Sequence, residues 1–255
     1  MYQTLAYLKF LIKSTNQHGV HSPFVYDLLT KCFYNTSKNK DYSILQSYKT
    51  SLINSNETIN VNDLGEGSKT FKTNSRAVSN IAKTSASLDK SMYLMYRIFD
   101  YFKPNIALEL GTSLGVATNA MALGHTESEI TTIEGCPQTS DFTKNSLCKS
   151  LNNVNFLSGH FKDVIPTLTQ THFDFIFFDG HHNKAATIDY FEMLLAKATN
   201  NSVFIFDDIY WSKGMTKAWN IIKAHPKVTL SIDTFFWGFV FFRQEQPKQH
   251  FKIRV

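Results

Sequence analysis

The stretch that most constrains this chain is Asn105-Ile-Ala-Leu-Glu-Leu-Gly-Thr-Ser-Leu-Gly-Val-Ala-Thr118. Ile106, Ala107 and Leu108 form the short apolar run that a buried parallel strand needs. Glu109 follows, then Gly111 and Gly115, then Val116-Ala-Thr-Asn-Ala-Met-Ala-Leu123, which reads as a helix. A strand, a glycine turn and a helix in that order let backbone approach a ligand closely. They also aim the amides of the helix N-terminus at it. Gly111-Thr-Ser113-Leu-Gly115 also matches the nucleophile elbow of serine hydrolases, so the rest of the chain has to separate two readings.

From residue 105 onward, strand-like runs at 106–110, 130–134, 154–158, 173–179 and 202–207 alternate with helical stretches. That alternation predicts a parallel sheet with helices on both faces. The end differs. Val228 to Trp237, then Gly238, then Phe239-Val-Phe-Phe-Arg243 predict an antiparallel hairpin that closes the sheet. The fold class is therefore α/β, a Rossmann-like, mostly parallel seven-stranded sheet with a C-terminal antiparallel hairpin, preceded by an N-terminal helical extension. Residues 1–87 read as that extension and a candidate substrate cap, and 88–255 as the main domain. Leu88 to Phe102 carries Met92, Leu94, Met95, Ile98 and Phe102 at spacings that suit an amphipathic helix feeding the first strand.

The first third is less regular. Leu5-Ala-Tyr-Leu-Lys-Phe-Leu-Ile12 is apolar but too short to span a bilayer, and Lys9 interrupts it, so it reads as an amphipathic helix. Ser22-Pro23 is a helix start, a capping oxygen followed by proline in the first turn. His18-Gly-Val-His21 spaces two imidazoles three apart with no acid or thiolate nearby, and reads as an ordinary loop pair. Asn35 to Asn60, rich in Ser, Thr, Asn and Lys, reads as a connection. Val61-Asn-Asp-Leu-Gly-Glu-Gly-Ser-Lys69 imitates the glycine turn at 111 without an apolar strand before it, and reads as a turn.

Composition excludes some classes. With 43% hydrophobic residues and 22 Phe in 255, the chain can bury a substantial core and is not disordered. Cys32, Cys136 and Cys148 form no CxxC pair, which fits a reduced, cytoplasmic protein. The net charge of +5 is spread along the sequence with no dense basic stripe and no Asn-Pro-Pro-Tyr-type base-flipping motif. Neither nucleic acid nor a membrane is expected as a partner.

The acids carry the chemistry. Ile130-Thr-Thr-Ile-Glu134 ends in a carboxylate 23 residues after Gly111, the spacing at which dinucleotide-type folds place the acid that accepts ribose hydroxyls. Phe173-Asp-Phe-Ile-Phe-Phe-Asp179 and Ser202-Val-Phe-Ile-Phe-Asp-Asp208 end in further acids at the same sheet edge. Asp179, Asp207 and Asp208 converging there would repel one another unless a cation or protons intervened, and an oxygen cluster suits Mg²⁺ or another divalent cation. Helix capping, or pairing with Lys213 and Lys217, is the structural alternative.

These residues resemble the class I S-adenosylmethionine-dependent methyltransferases, and among them the cation-dependent O-methyltransferases of the catechol and caffeoyl-coenzyme A type. The resemblance covers about residues 88 to 243. It implies S-adenosylmethionine as cofactor and a loop formed by Glu109, Gly111, Thr112, Ser113 and Gly115. It further implies Glu134 on the ribose, His160 and Phe161 in the segment flanking adenine, and Asp179 serving both cofactor and metal beside Asp207 and Asp208. The acceptor implied is a small-molecule hydroxyl, and family members are often homodimers. Four departures stand out. Asp207-Asp208 replaces the usual Asp-Asn, Ala117 stands where Ser or Thr is common, and Phe161-Lys162 replaces polar residues beside adenine. His182 stands where a lysine base is usual, with His181 and Lys184 as alternates. A histidine near neutral pKa can take a proton from a hydroxyl.

Two other classes compete. A serine hydrolase would use Ser113, Asp207 and His225 in an allowed chain order, but leaves Glu109 and Glu134 without a role. A non-catalytic nucleoside-binding module would keep Glu134 and transfer nothing. Tyr210, Trp211 and Trp237 are candidate walls for an aromatic acceptor, or core.

Overall fold

The structure, a computed structural model, describes residues 2–61, 73–85 and 89–255. The imitation glycine turn centred on Gly65 and Gly67, and Leu88, lie outside them. A two-stranded antiparallel ribbon, β1 (Thr58–Asn60) and β2 (Ser75–Ala77), stands apart from the main sheet. The main sheet holds β3 (Ile106–Leu110), β4 (Glu129–Glu134), β5 (Val154–Ser158), β6 (Phe173–Phe178), β7 (Ala198–Phe206), β8 (Leu230–Asp233), β9 (Gly238–Phe241) and β10 (Gln249–Lys252). Their order is β10-β8-β9-β7-β6-β3-β4-β5. Strand β9 is antiparallel to β7 and β8, and the other pairings are parallel.

The Rossmann-like α/β reading is met, with one strand more than the seven expected. Gln249-His-Phe-Lys252 carries no apolar run, and its strand character comes from parallel pairing with β8. A second difference lies in the supposed connection at 35–60, where α3 (Tyr42–Ile53) forms. Its Leu45 and Leu52, seven apart, are buried while Ser43, Ser47, Thr50 and Ser51 face outward. Periodicity outweighed composition there.

The remaining helices are α1 (Tyr2–Lys13), α2 (Pro23–Leu28), α4 (Val78–Ser85), α5 (Asp89–Phe102), α6 (Val116–Gly124), α7 (Pro137–Leu147), α8 (Phe161–Val164), α9 (Lys184–Leu195) and α10 (Lys213–Ala224). Side chains alternate across a strand, so Phe175 and Phe177 enter one apolar layer while Ile176 and Phe178 enter the other. The first layer is covered by α5, α6 and the buried Val25, Leu28, Leu29 and Phe33 of the first third. Phe33 meets Phe239 at 5.0 Å, and Phe24 meets Phe241 edge-on at 5.3 Å. Phe191 and Leu194 of α9 and Trp219 and Ile222 of α10 cover the second. Among the described residues no helix is long and apolar enough to cross a membrane.

From β3 the chain steps outward to β4 and β5, then returns to place β6 against the other side of β3. The order of the strands, all parallel here, reverses between β3 and β6, the point where open α/β sheets leave a crevice at their carboxyl edge. Gly111, Asp179 and Asp207 are each the first residue past a strand that ends there.

Candidate active site

The glycine turn is locked from three sides. Gly111 donates its amide to the Ile133 carbonyl at 2.9 Å, which binds the start of the turn to β4. Its φ of +107° is open to glycine, and a Cβ here would stand 2.1 Å from the Asp179 carbonyl oxygen. Gly115, at φ +71°, occupies the N-cap of α6. Between them the Ser113 carbonyl accepts the Thr143 hydroxyl at 2.6 Å, and the Leu114 carbonyl accepts the Tyr48 hydroxyl at 2.8 Å. Burial holds that phenol well above its ordinary pKa, so it remains a donor. Tyr48 lies in the first third, and nothing in its sequence surroundings signalled this role.

Glu134 closes β4 beside the turn. One carboxylate oxygen accepts the Ser113 amide at 2.8 Å, and the other accepts the Cys136 amide at 2.9 Å. The expected ribose acid and the glycine turn therefore share one hydrogen-bonded unit.

Glu109 is fully buried. Its Oε2 accepts the hydroxyls of Thr118 and Thr132, both at 2.6 Å, and Thr112 bonds Thr132 in turn. Thr118 thus serves the turn although Ala117 departs from the family pattern. Glu109 Oε1 has no hydrogen-bond partner among the described residues. Burial pushes the carboxyl up to about 7, against the pull of the two threonines. A buried acid with one open oxygen suits a cationic or hydrogen-bond-donating ligand.

Of the predicted adenine segment, Gly159 takes φ +147° and donates to the Glu134 carbonyl at 3.0 Å. His160 caps α8 and is exposed. Phe161 is buried, edge-on to Tyr190 at 5.5 Å, and would lie 2.5 Å from a Cβ at Gly180. Its ring therefore underlies the turn after β6. A groove of ≈ 770 Å³ opens beside it, past Lys162, His181 and Tyr190, but no residue of the glycine turn lines it.

Asp179, His182 and Asp207 bring one ligand atom each within 4.8 Å of one another. His182 Nε2 stands 3.6 Å from Asp179 Oδ1, with about a third of either side chain open to solvent (27% and 31%). Burial and the adjoining Asp207 carboxyl hold Asp179 well above the usual carboxylate range, and Asp208 adds to the repulsion. Burial lowers the pKa of His182 against the opposing pull of Asp207. Asp208 takes φ +53° and stays outside the three-atom group. Lys184 opens α9 and is exposed.

Among non-glycine residues with positive φ, Ser113, His181, His182, Asp208 and Phe235 all sit at this edge, and only Lys103 sits elsewhere among those described. Such concentration of backbone strain marks functional turns. Trp237 joins the core against Phe177 at 5.6 Å, whereas Trp211 stands 6.5 Å from His182. Tyr210 stacks on Phe235 at 4.8 Å and donates to Asp233 at 2.7 Å.

The hydrolase constellation does not assemble. His225 follows the C-terminus of α10, packed on Phe191 at 5.5 Å and 3.9 Å from Glu192 near the end of α9. Both helices start at the carboxyl edge and run back from it, so His225 is at the far edge from Ser113.

Residues 108–209 match the family model described as "Methyltransferase domain". No curated protein matches the sequence. The fold is shared with an SAH-bound methyltransferase of Podospora anserina at TM-score 0.61 and 15% identity, over 88% of this chain and 97% of that one. An O-methyltransferase from Bacillus cereus in complex with SAH gives 0.56 and 18%, over 82% and 93%. TomG, an O-methyltransferase from Streptomyces achromogenes in complex with SAM, gives 0.57 and 14%, over 86% and 95%. The resemblance to methyltransferases is thus met by the domain model over residues 108–209, and the fold is shared with these solved methyltransferases.

Proposed function

We propose that this chain, whose residues 108–209 match a methyltransferase domain, transfers the methyl group of S-adenosylmethionine to an oxygen of a small molecule, with a divalent cation assisting. The observation that carries the reading is Glu134, fastened by the Ser113 amide to the Gly111–Gly115 turn at the sheet's switch point and held on its other oxygen by the Cys136 amide. Glu109, Gly111, Thr112 and Ser113 complete the cradle, and the unpartnered Glu109 Oε1 fits a positively charged donor. When bound, the cofactor supplies a methyl group already activated by its sulfonium. The chain has only to align the acceptor with it and exclude water.

Replacing Glu134 by alanine is expected to weaken S-adenosylhomocysteine binding tenfold or more, since a charge-assisted hydrogen bond contributes roughly 1.5–3 kcal/mol. Isothermal calorimetry checks this, and an unchanged Kd removes the ribose assignment.

The donor set fits a divalent cation. Asp179 and Asp207 repel one another as they stand, and their carboxylates are the oxygen donors a divalent cation takes. A cation there would lower the pKa of an acceptor hydroxyl. His182, its pKa lowered by burial, is neutral at neutral pH and is the base we assign to that proton, with Lys184 as alternate. Mg²⁺ is expected to raise the melting temperature of the wild type and to leave Asp179→Asn unmoved. Without cation the variant should melt at or above the wild type, because one of two repelling carboxyls is gone. A wild type insensitive to both Mg²⁺ and EDTA ends the metal assignment.

Residues 1–87 act as the cap in this reading. Tyr7 meets Phe235 edge-on at 4.8 Å, Phe10 packs on the same ring at 5.6 Å, and Phe235 stacks on Tyr210 in the loop that follows Asp207 and Asp208. Helix α1 thereby reaches the acceptor side of the carboxyl edge.

A further inference from the structure

Helix α1 is apolar on two sides, and the fold uses one of them. Phe10 is its buried residue, seated on Phe235. Leu5, Leu8 and Ile12 follow a spacing of three and four, which aligns them along one stripe of the helix. They are 53%, 52% and 84% exposed. Lys9 and Lys13, both exposed, follow at the flank of that stripe, and α1 contains no acid.

The surroundings share the charge. Tyr2 donates to Thr216 of α10 at 2.7 Å, Thr15 pairs with Ile253 past the end of β10, and the Lys252 ammonium lies 5.9 Å from the Phe10 ring. The three elements that meet here, α1, α10 and residues 246–255, contain no Asp or Glu. They carry Lys9, Lys13, Lys213, Lys217, Lys223, Lys248, Lys252 and Arg254. These eight exceed the whole chain's net charge of +5, so the remainder of the protein is net acidic. Asp233, the acid they meet, is buried and bonded to Lys252 at 2.8 Å. Of the eight basic residues, Lys252 stands against Phe10 of α1, whereas Lys248 bonds the Ala224 and His225 carbonyls at the C-terminus of α10, the edge away from α1.

We propose that this face docks on an anionic lipid surface, with Leu5, Leu8 and Ile12 entering the interface and Lys9 and Lys13 meeting the headgroups. An amphipathic helix with an apolar stripe and lysine flanks, too short to span, is the form such peripheral contacts take. A second copy of the chain is disfavoured by charge, since two such helices would bring lysines together with no acid to pair them. Nucleic acid would satisfy the lysines and leave Leu5, Leu8 and Ile12 without a partner. The inference does not depend on the methyltransferase reading.

The test is flotation of the full chain with vesicles of phosphatidylcholine alone and of phosphatidylcholine with phosphatidylglycerol. The protein should float with the anionic vesicles and not with the neutral ones. Leu5→Ser/Leu8→Ser/Ile12→Ser and Lys9→Glu/Lys13→Glu should each lower partitioning at least about tenfold. Both variants should keep the wild-type melting temperature, because the altered side chains face solvent. Failure of the wild type to float overturns the proposal, as does equal flotation of the serine variant. A dimer in analytical ultracentrifugation that the serine variant dissolves assigns the face to a second copy instead. Binding of duplex DNA that withstands the serine changes, with no flotation, assigns it to nucleic acid.

Discussion

Gly111→Ala is expected to melt about 10 °C below the wild type. The added Cβ would stand 2.1 Å from the Asp179 carbonyl oxygen and 2.7 Å from its carbonyl carbon, both backbone atoms that no rotamer change can move. The residue also holds φ +107°, outside the range a side chain tolerates. A strained backbone and an overpacked contact together cost roughly 3 kcal/mol or more, and each kcal/mol lowers the midpoint of a domain this size by roughly 2–4 °C. The strain has one outlet, separation of the β3 turn from the β6 turn, which would move Asp179 away from the glycine cradle. Loss of S-adenosylhomocysteine binding should therefore accompany the loss of stability. Gly214→Ala is the matched control. Its Cβ would meet nothing nearer than 3.4 Å, and alanine in the first turn of α10 should leave stability unchanged or slightly higher. Thermal unfolding of both variants decides the matter, and a midpoint for Gly111→Ala within a degree of the wild type would refute the close approach.

What the sequence disclosed was local. Strand-like runs of five or six residues marked β3, β4 and β6, and the 23-residue spacing linked Glu134 to Gly111. The strand-end acids Asp179 and Asp207 were visible for the same reason, since a carboxylate closing an apolar run stands at a sheet edge. The identity of the third group beside them was not. Asp208 and His182 both take positive φ, at +53° and +27°. In such turns the side chain's direction is set by what the backbone is packed against, and adjacency to Asp207 in sequence did not bring the Asp208 carboxylate into the three-atom group.

Long-range hydrogen bonds escaped in the same way. Tyr48 reaches the Leu114 carbonyl across 66 residues, and a tyrosine in a Ser- and Lys-rich stretch carries no sign of that partner. Helix α1 shows a third limit. Its periodicity announced an amphipathic helix, but period alone does not say which stripe the core accepts. The chain buries Phe10, next to Phe235, and leaves the Leu5, Leu8 and Ile12 stripe outside. That choice follows from the 234–237 turn, whose aromatic ring meets α1 more than 220 residues later.

Glu109 sets up the other large expectation. Its carboxyl rises from an ordinary value of 4.5 to about 7 on folding, because burial disfavours the charged form more than Thr118 and Thr132 favour it. The folded state therefore binds more protons than the unfolded state between those values, and stability falls as pH rises through that window. Below 4.5 both states are protonated and the group contributes no penalty; above about 7 the full penalty applies, on the order of 3 kcal/mol. Glu109→Gln retains an oxygen for the two threonine hydroxyls and removes the titration. Denaturant unfolding of wild type and variant across this range should give curves that diverge as pH rises, the variant becoming the more stable. Subtraction cancels the titrating groups that do not feel Glu109, so a difference that stays flat from pH 4.5 to 7 would show that folding does not raise the Glu109 carboxyl. The same group links stability to the proposed cofactor. A cationic ligand beside the unpartnered Oε1 would stabilise the ionised carboxylate and draw its pKa down. Binding of S-adenosylmethionine at a pH inside the window should then release protons, read as a binding heat that depends on the ionisation enthalpy of the buffer. Glu109→Gln should abolish that dependence while Glu134→Ala weakens affinity, which separates the two acids of the cradle by what each does for the ligand.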